Sequence, residues 1–103
     1  MASNFKIMMH QNSESLHLKL MGDFDGSSAH ELLNTIKGHG SGRNKIFIHT
    51  SGLRDVCPFG RAVFKNNFSS LNHLSTRFIF TGENVDQISP KGNGIYSEAI
   101  YQM

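Results

Sequence analysis

Residues 16–38, LHLKLMGDFDGSSAHELLNTIKG, change period halfway along. Leu16, Leu18 and Leu20 alternate with His17, Lys19 and Met21, the two-residue repeat of a strand with one buried face. Turn-forming residues follow in GDFDGSS (22–28). Then Ala29, Leu32, Leu33 and Ile36 fall at i, i+3, i+4 and i+7, an apolar stripe along one side of a helix. Ser28 with Glu31 three residues later has capping-box form and predicts the helix start at Ser28. Lys37 suits the negative end of that helix, and Gly38 suits its left-handed terminus. A strand running into a helix is half of a crossover unit, so the next apolar segment decides the fold.

That segment is KIFIH (45–49), with Ile46, Phe47 and Ile48 consecutive, which predicts a strand covered on both faces. Upstream, Phe5, Ile7 and Met9 alternate with Lys6, Met8 and His10, and QNSE (11–14) supplies a turn, so the chain opens with a hairpin. Downstream, TSGLRDVC (50–57) predicts a loop. Pro58 opens a second helix with an apolar stripe of Phe59, Val63, Phe64, Phe68 and Leu71, and with Arg61 and Lys65 on another face. RFIFT (77–81) repeats the buried-strand pattern, and Ile95, Tyr96, Ala99 and Ile100 predict a short terminal helix docked on the core. The order β-β-α-β-α-β predicts an α/β fold. It has a mixed, mainly parallel four-stranded sheet with helices on one face, right-handed crossovers, and a single domain over residues 1–103.

The 103 residues suffice for one modest core, and 38% hydrophobic content argues against wholesale disorder. A net charge of +2 does not imply nucleic-acid binding. No apolar run approaches the roughly 20 residues of a membrane helix, and MASNFKIMMH is not a signal peptide, so a cytoplasmic protein is expected. One cysteine, Cys57, cannot form an internal disulfide. The histidines lack metal-ligand spacing, and neither a P-loop nor GxSxG is present. No metal and no cofactor are expected.

LHLKLMGDFDGSSAHELLNTI (16–36) and KIFIHTSGLRDVCPFGRAVF (45–64) resemble STAS domains, the family of bacterial anti-sigma factor antagonists. RFIFTGEN (77–84) resembles the family's fourth strand and its exit. Gly52 falls on the family's turn glycine and Gly60 on the glycine of its Asp-Ser-Ser-Gly helix start. The chain departs from that pattern where the family is phosphorylated. His49 stands at the strand-end acid, Cys57 at the motif's Asp, Pro58 at the phosphoacceptor serine and Phe59 at the second serine. The resemblance implies a non-enzymatic module for an anti-sigma factor kinase or related regulator, without the usual phosphorylatable serine at Pro58. A homodimer is compatible with it. An alternative in the same family is the cytosolic subunit of an ABC lipid-transport complex.

The expected partner surface comprises Asp23, Asp25 and Ser27 before the first helix, and Arg54, Cys57, Pro58, Phe59, Gly60, Arg61, Phe64 and Lys65 around the second. Phe59, where the family has a small residue, is the candidate aromatic anchor. Arg54, Arg61 and Lys65 would add a basic face. A third reading is an enzyme in which His49 activates Cys57, because a thiol at a helix start favours thiolate. No arginine stands six positions after Cys57, where Val63 lies, so a phosphatase loop is excluded.

Overall fold

The structure is a computed structural model and describes residues 4–74, 77–83, 88 and 95–98. Strands β1 (Lys6–Gln11) and β2 (Ser15–Phe24) form the expected antiparallel hairpin, with Lys6 opposite Met21 and Gln11 opposite Leu16. Asn12 closes its turn: Oδ1 accepts the N–H groups of Glu14 at 3.1 Å and Ser15 at 2.8 Å. Helix α1 (Gly26–His39) crosses to β3 (Lys45–Val56), which pairs parallel with β2. Helix α2 (Pro58–Asn67) continues into a 3-10 segment (Phe68–Leu74) and leads to β4 (Arg77–Thr81), parallel to β3.

The mixed, mainly parallel sheet with helices on one face is present, and a fifth short strand, β5 (Ile95–Glu98), lengthens it. β5 replaces the terminal helix expected around Ile95 and Tyr96, because its backbone completes the ladder on the outer edge of β4. Ala99 and Ile100 lie outside the described residues.

Leu16, Leu18 and Leu20 of β2, Ile46 and Ile48 of β3, and Phe78 and Phe80 of β4 point to the helices and are buried there with Leu32, Leu33, Ile36 and Phe64. Each such side chain contributes about 1.5–3 kcal/mol of transfer free energy. Phe64 is the hub of the aromatic packing. It meets Phe24 edge-on at 6.2 Å, Phe68 at 5.4 Å and Phe80 at 6.3 Å.

Three sequence expectations shift. Residues 50–56 continue β3 instead of forming a loop, because the last turn of β2 offers them a parallel partner: Gly22 pairs with Leu53 and Phe24 with Val56. The register slips there. Gly22 has φ +90°, and a Cβ on Gly52 would lie 2.6 Å from the Leu20 carbonyl oxygen, so both positions require glycine. The cap of α1 is Asp25, not Ser28, and α1 ends at Gly40, whose N–H donates to the Ile36 carbonyl at 2.7 Å, beyond the expected Gly38. KIFIH is covered by helices on one face only; Phe47, on the other, is half-buried.

Candidate functional site

β2 and β3 run parallel and each ends at the start of a helix, so two strand-to-helix turns meet at one corner of the sheet. The Cys57 N–H donates to the Phe24 carbonyl at 2.9 Å and ties them together. This corner gathers Asp23, Asp25 and Ser27 with Arg54 and Cys57 to Arg61.

Asp23 receives a forked pair of bonds from Arg54, Nε to Oδ1 at 3.1 Å and Nη2 to Oδ2 at 2.9 Å. That bonding raises the arginine above its ordinary pKa. The pair is largely exposed and therefore fixes loop geometry more than it stabilises the fold. Asp25 is the N-cap of α1. Its Oδ1 accepts the Ser28 N–H at 3.0 Å, the Ser28 hydroxyl at 3.0 Å and the Ser27 hydroxyl at 3.1 Å. The Ser28 N–H above all holds this carboxyl below the usual carboxylate range. Ser28 is buried and shares its hydroxyl with the Asp23 carbonyl at 2.9 Å.

Cys57 caps α2 with extended backbone and no side-chain cap bond, and Pro58 holds the first helical position. Cys57 is exposed. Phe59 is 68% exposed, yet its ring lies over Gly26, where a Cβ would come within 2.7 Å of it. Gly60 is buried against Asp25: a Cβ there would lie 2.5 Å from the Asp25 carbonyl carbon. The two helix starts thus touch backbone to backbone. Arg61 and Lys65 are partly buried on α2.

Two of the expected surface residues lie elsewhere. Phe64 is fully buried in the core, where it holds α2 to the sheet, and Gly60 is a packing contact. The pairing of His49 with Cys57 is not formed. His49 sits in the middle of β3, on the face away from the helices, and β3 runs on for seven residues to Val56, a distance on the order of 20 Å. Its Nδ1 lies 2.7 Å from Thr81 Oγ1 and its Nε2 lies 3.1 Å from His17 Nδ1. Burial lowers the pKa of His49, with His17 and Lys19 adding to the effect; burial also lowers that of His17, with His10 adding.

Sequence reading does not find the His17–His49 contact. The available signal is alternation, which puts His17 and His49 on the same face once β2 and β3 are in register. Among the described residues, no three His, Cys, Asp or Glu side chains converge as a metal site, and no helix is long and apolar enough to cross a membrane. The corner brings an aromatic side chain, a forked ion pair and two cations together over the touching helix starts.

No protein-family model matches the sequence, and no curated protein matches it. Solved structures do. The chain is similar to the anti-sigma factor antagonist SpoIIAA in its unphosphorylated form, with TM-score 0.64 and 15% identity, over 89% of this chain and 87% of that one. It is similar to a variant of Moorella thermoacetica RsbS, with TM-score 0.61 and 18% identity, over 89% of this chain and 85% of that one. It is also similar to part of the protein named Mglu, with TM-score 0.62 and 14% identity, over 71% of this chain but only 18% of that one. The fold is therefore that of a STAS-like domain, as the sequence resemblance implies.

Proposed function

We propose that the chain is a non-enzymatic, protein-binding regulatory module that acts as an anti-sigma factor antagonist does. It would work in a cytoplasmic partner-switching pathway, with an anti-sigma factor kinase or related regulator as its partner. Phe59 is the observation that carries this reading. A phenylalanine 68% exposed at the meeting point of two helix starts stabilises nothing commensurate with its size in the isolated chain. Burying such a ring against a partner supplies the anchor of a hot spot, with Arg54, Arg61 and Lys65 as its rim. The fold shared with SpoIIAA supports the same reading.

Pro58 occupies the first position of α2, where the family resemblance puts the phosphoacceptor, and proline has no hydroxyl. Docking is therefore constitutive or controlled elsewhere. Of the four nearby hydroxyls, Ser28 and Thr50 are buried and hydrogen-bonded, whereas Ser27 and Ser51 are exposed.

The test is affinity capture on the immobilised chain, with Phe59→Ala and Arg61→Glu beside the wild type and mass spectrometry of the retained proteins. A kinase-like regulator held by the wild type and lost by both variants supports the proposal. Retention unaffected by either variant removes the corner from consideration. An ABC ATPase in its place would favour the transport-complex alternative.

A further inference from the structure

The helices cover one face of the sheet, and the α1–α2 corner lies at one end. Neither uses the other face. Alternation places Lys6, Met8 and His10 of β1 there, beside His17 and Lys19 of β2 and Lys45, Phe47 and His49 of β3. Across β1, β2 and β3 the charge on this face has one sign, and the carboxylate residue Glu98 is registered with Thr81 at the far edge, on β5. Residues 6–11, 15–21, 45–51 and 77–81 contain no aspartate or glutamate, although the chain has eight.

The face is also shaped. A hollow of about 420 Å³ is lined by Met8, Met9, His10, His17, Lys19 and His49. Met8, 57% exposed, is an adaptable apolar side chain at the rim. The polar floor is ordered. The His17 ring lies flat on Phe47, with centroids 4.4 Å apart and planes 1° from parallel. Its Nδ1 meets His49 Nε2 at 3.1 Å, and His49 Nδ1 meets Thr81 Oγ1 at 2.7 Å. The Thr50 hydroxyl in turn donates to the Thr81 carbonyl at 2.7 Å. A hydrogen-bonded row thus crosses β4, β3 and β2 and ends at His17 Nε2. When the Thr81 hydroxyl donates into this row, each imidazole passes a donor outward and His17 presents an N–H to the hollow. An anion selects that polarity.

The hollow adjoins a sheet edge. β1 is the terminal strand, and among the described residues no strand pairs with its outer side. Its unpaired N–H and C=O groups are a template for another extended chain. A bilayer or a polynucleotide has no peptide backbone with which to use that edge; an acidic polypeptide matches both the edge and the charge.

We propose that the β1–β3 part of the sheet face away from the helices, together with the β1 edge, forms a second interaction surface, separate from the α1–α2 corner, that takes an extended acidic segment of a partner polypeptide. The segment's backbone pairs with β1, and its alternate carboxylates meet Lys19, His10 and the outer nitrogen of His17.

The probe is a short alternating Glu-Val peptide, labelled and titrated into the whole chain by fluorescence anisotropy, with alternating Ser-Val and Lys-Val peptides beside it. The binding site is mapped by amide and imidazole chemical shifts. Saturable binding of the Glu-Val peptide alone is expected, with shifts on β1 and at His17 and His49. Lys19→Glu should weaken it about tenfold or more, and His17→Gln should also weaken it. Both positions lie on a sheet face without core contacts to the helices, and Phe59→Ala should leave binding unchanged. Equal binding of the Ser-Val peptide, shifts at the α1–α2 corner, or indifference to Lys19→Glu would overturn the proposal. So would retention on phosphatidylglycerol vesicles without peptide binding, which assigns the face to lipid. Doubling of mass in solution without peptide binding assigns the edge to a second copy of the chain, with the same effect.

Discussion

Replacing Gly60 with alanine tests whether the two helix starts are held as closely as described. The added methyl would lie 2.5 Å from the Asp25 carbonyl carbon, 2.6 Å from its oxygen and 2.7 Å from its Cα. Carbon atoms rest at about 3.5–4.0 Å, so α2 must retreat by about 1 Å or more. Every contacting atom is backbone, and none can rotate aside. The retreat also draws Phe64 away from Phe24 and Phe80. Overpacking of this kind costs about 1–3 kcal/mol, and the better helix propensity of alanine returns up to about 1 kcal/mol. A net loss of about 1–2 kcal/mol should lower Tm by roughly 4–16 °C in a domain of this size. Thermal unfolding followed by circular dichroism measures it. Gly38→Ala is the control: it lies inside α1 with nothing within 4 Å of its Cβ position and should raise stability by about 0.5–1 kcal/mol. A Gly60→Ala protein that melts at or above the wild type would show that the helix starts are not in this contact.

Phe59→Ala should change unfolding free energy by less than about 0.5 kcal/mol while removing the captured partner; a large loss of stability in urea would mark the ring as structural. Asp25→Ala should cost about 1 kcal/mol through the lost cap. Because the folded Asp25 carboxyl is depressed, its contribution is present above the unfolded pKa of about 4 and fades as pH falls through the folded value. Asp25→Asn should keep most of the cap and lose that acid dependence, which paired urea titrations at neutral and low pH would reveal. His17 and His49 have folded pKa values below the unfolded value of about 6.5, through burial first, with His10 adding at His17 and with His17 and Lys19 adding at His49. The unfolded chain takes up their protons earlier, so stability should hold above about pH 6.5 and decline below it. Urea midpoints of a His17→Gln, His49→Gln double variant should be flatter across that window, and an unchanged slope would refute the assignment.

Residues 16–38 were legible because they carry both periods in full, and burial of Leu16, Leu18, Leu20, Leu32, Leu33 and Ile36 leaves only one arrangement. The start of α1 was ambiguous for a local reason. Ser28 and Asp25 are both good caps, and the choice falls to Asp25 because Phe24 is still paired with Val56 in the sheet. Residues 50–56 lack alternation and contain Gly52, so nothing local marks them as strand; the partner strand does. β5 is specified by the open edge of β4, which no window of neighbouring residues contains. At the site, Phe59 stood out as an aromatic in a small residue's place. Gly60 is marked in the sequence by resemblance alone, because its physical reason, the Asp25 backbone, lies on a different strand-to-helix turn. The row from Thr81 through His49 to His17 joins residues 32 positions apart at each step and was invisible before the register was known.

The contact between Gly60 and Asp25 has a consequence for how this corner can change over generations. Positions that set its shape, Gly22 and Gly60, admit almost no alternative side chain, because each meets backbone. Phe59 and Arg54 above them are mostly exposed and bear little of the fold's stability. The frame and the lettering on it are therefore separable. Substitutions at Phe59 and Arg54, joined by those at Arg61, can rewrite which protein is recognised while the backbone beneath remains fixed. A library randomised at those three positions should yield folded members with altered binding at high frequency, whereas one randomised at the glycines should yield few that fold.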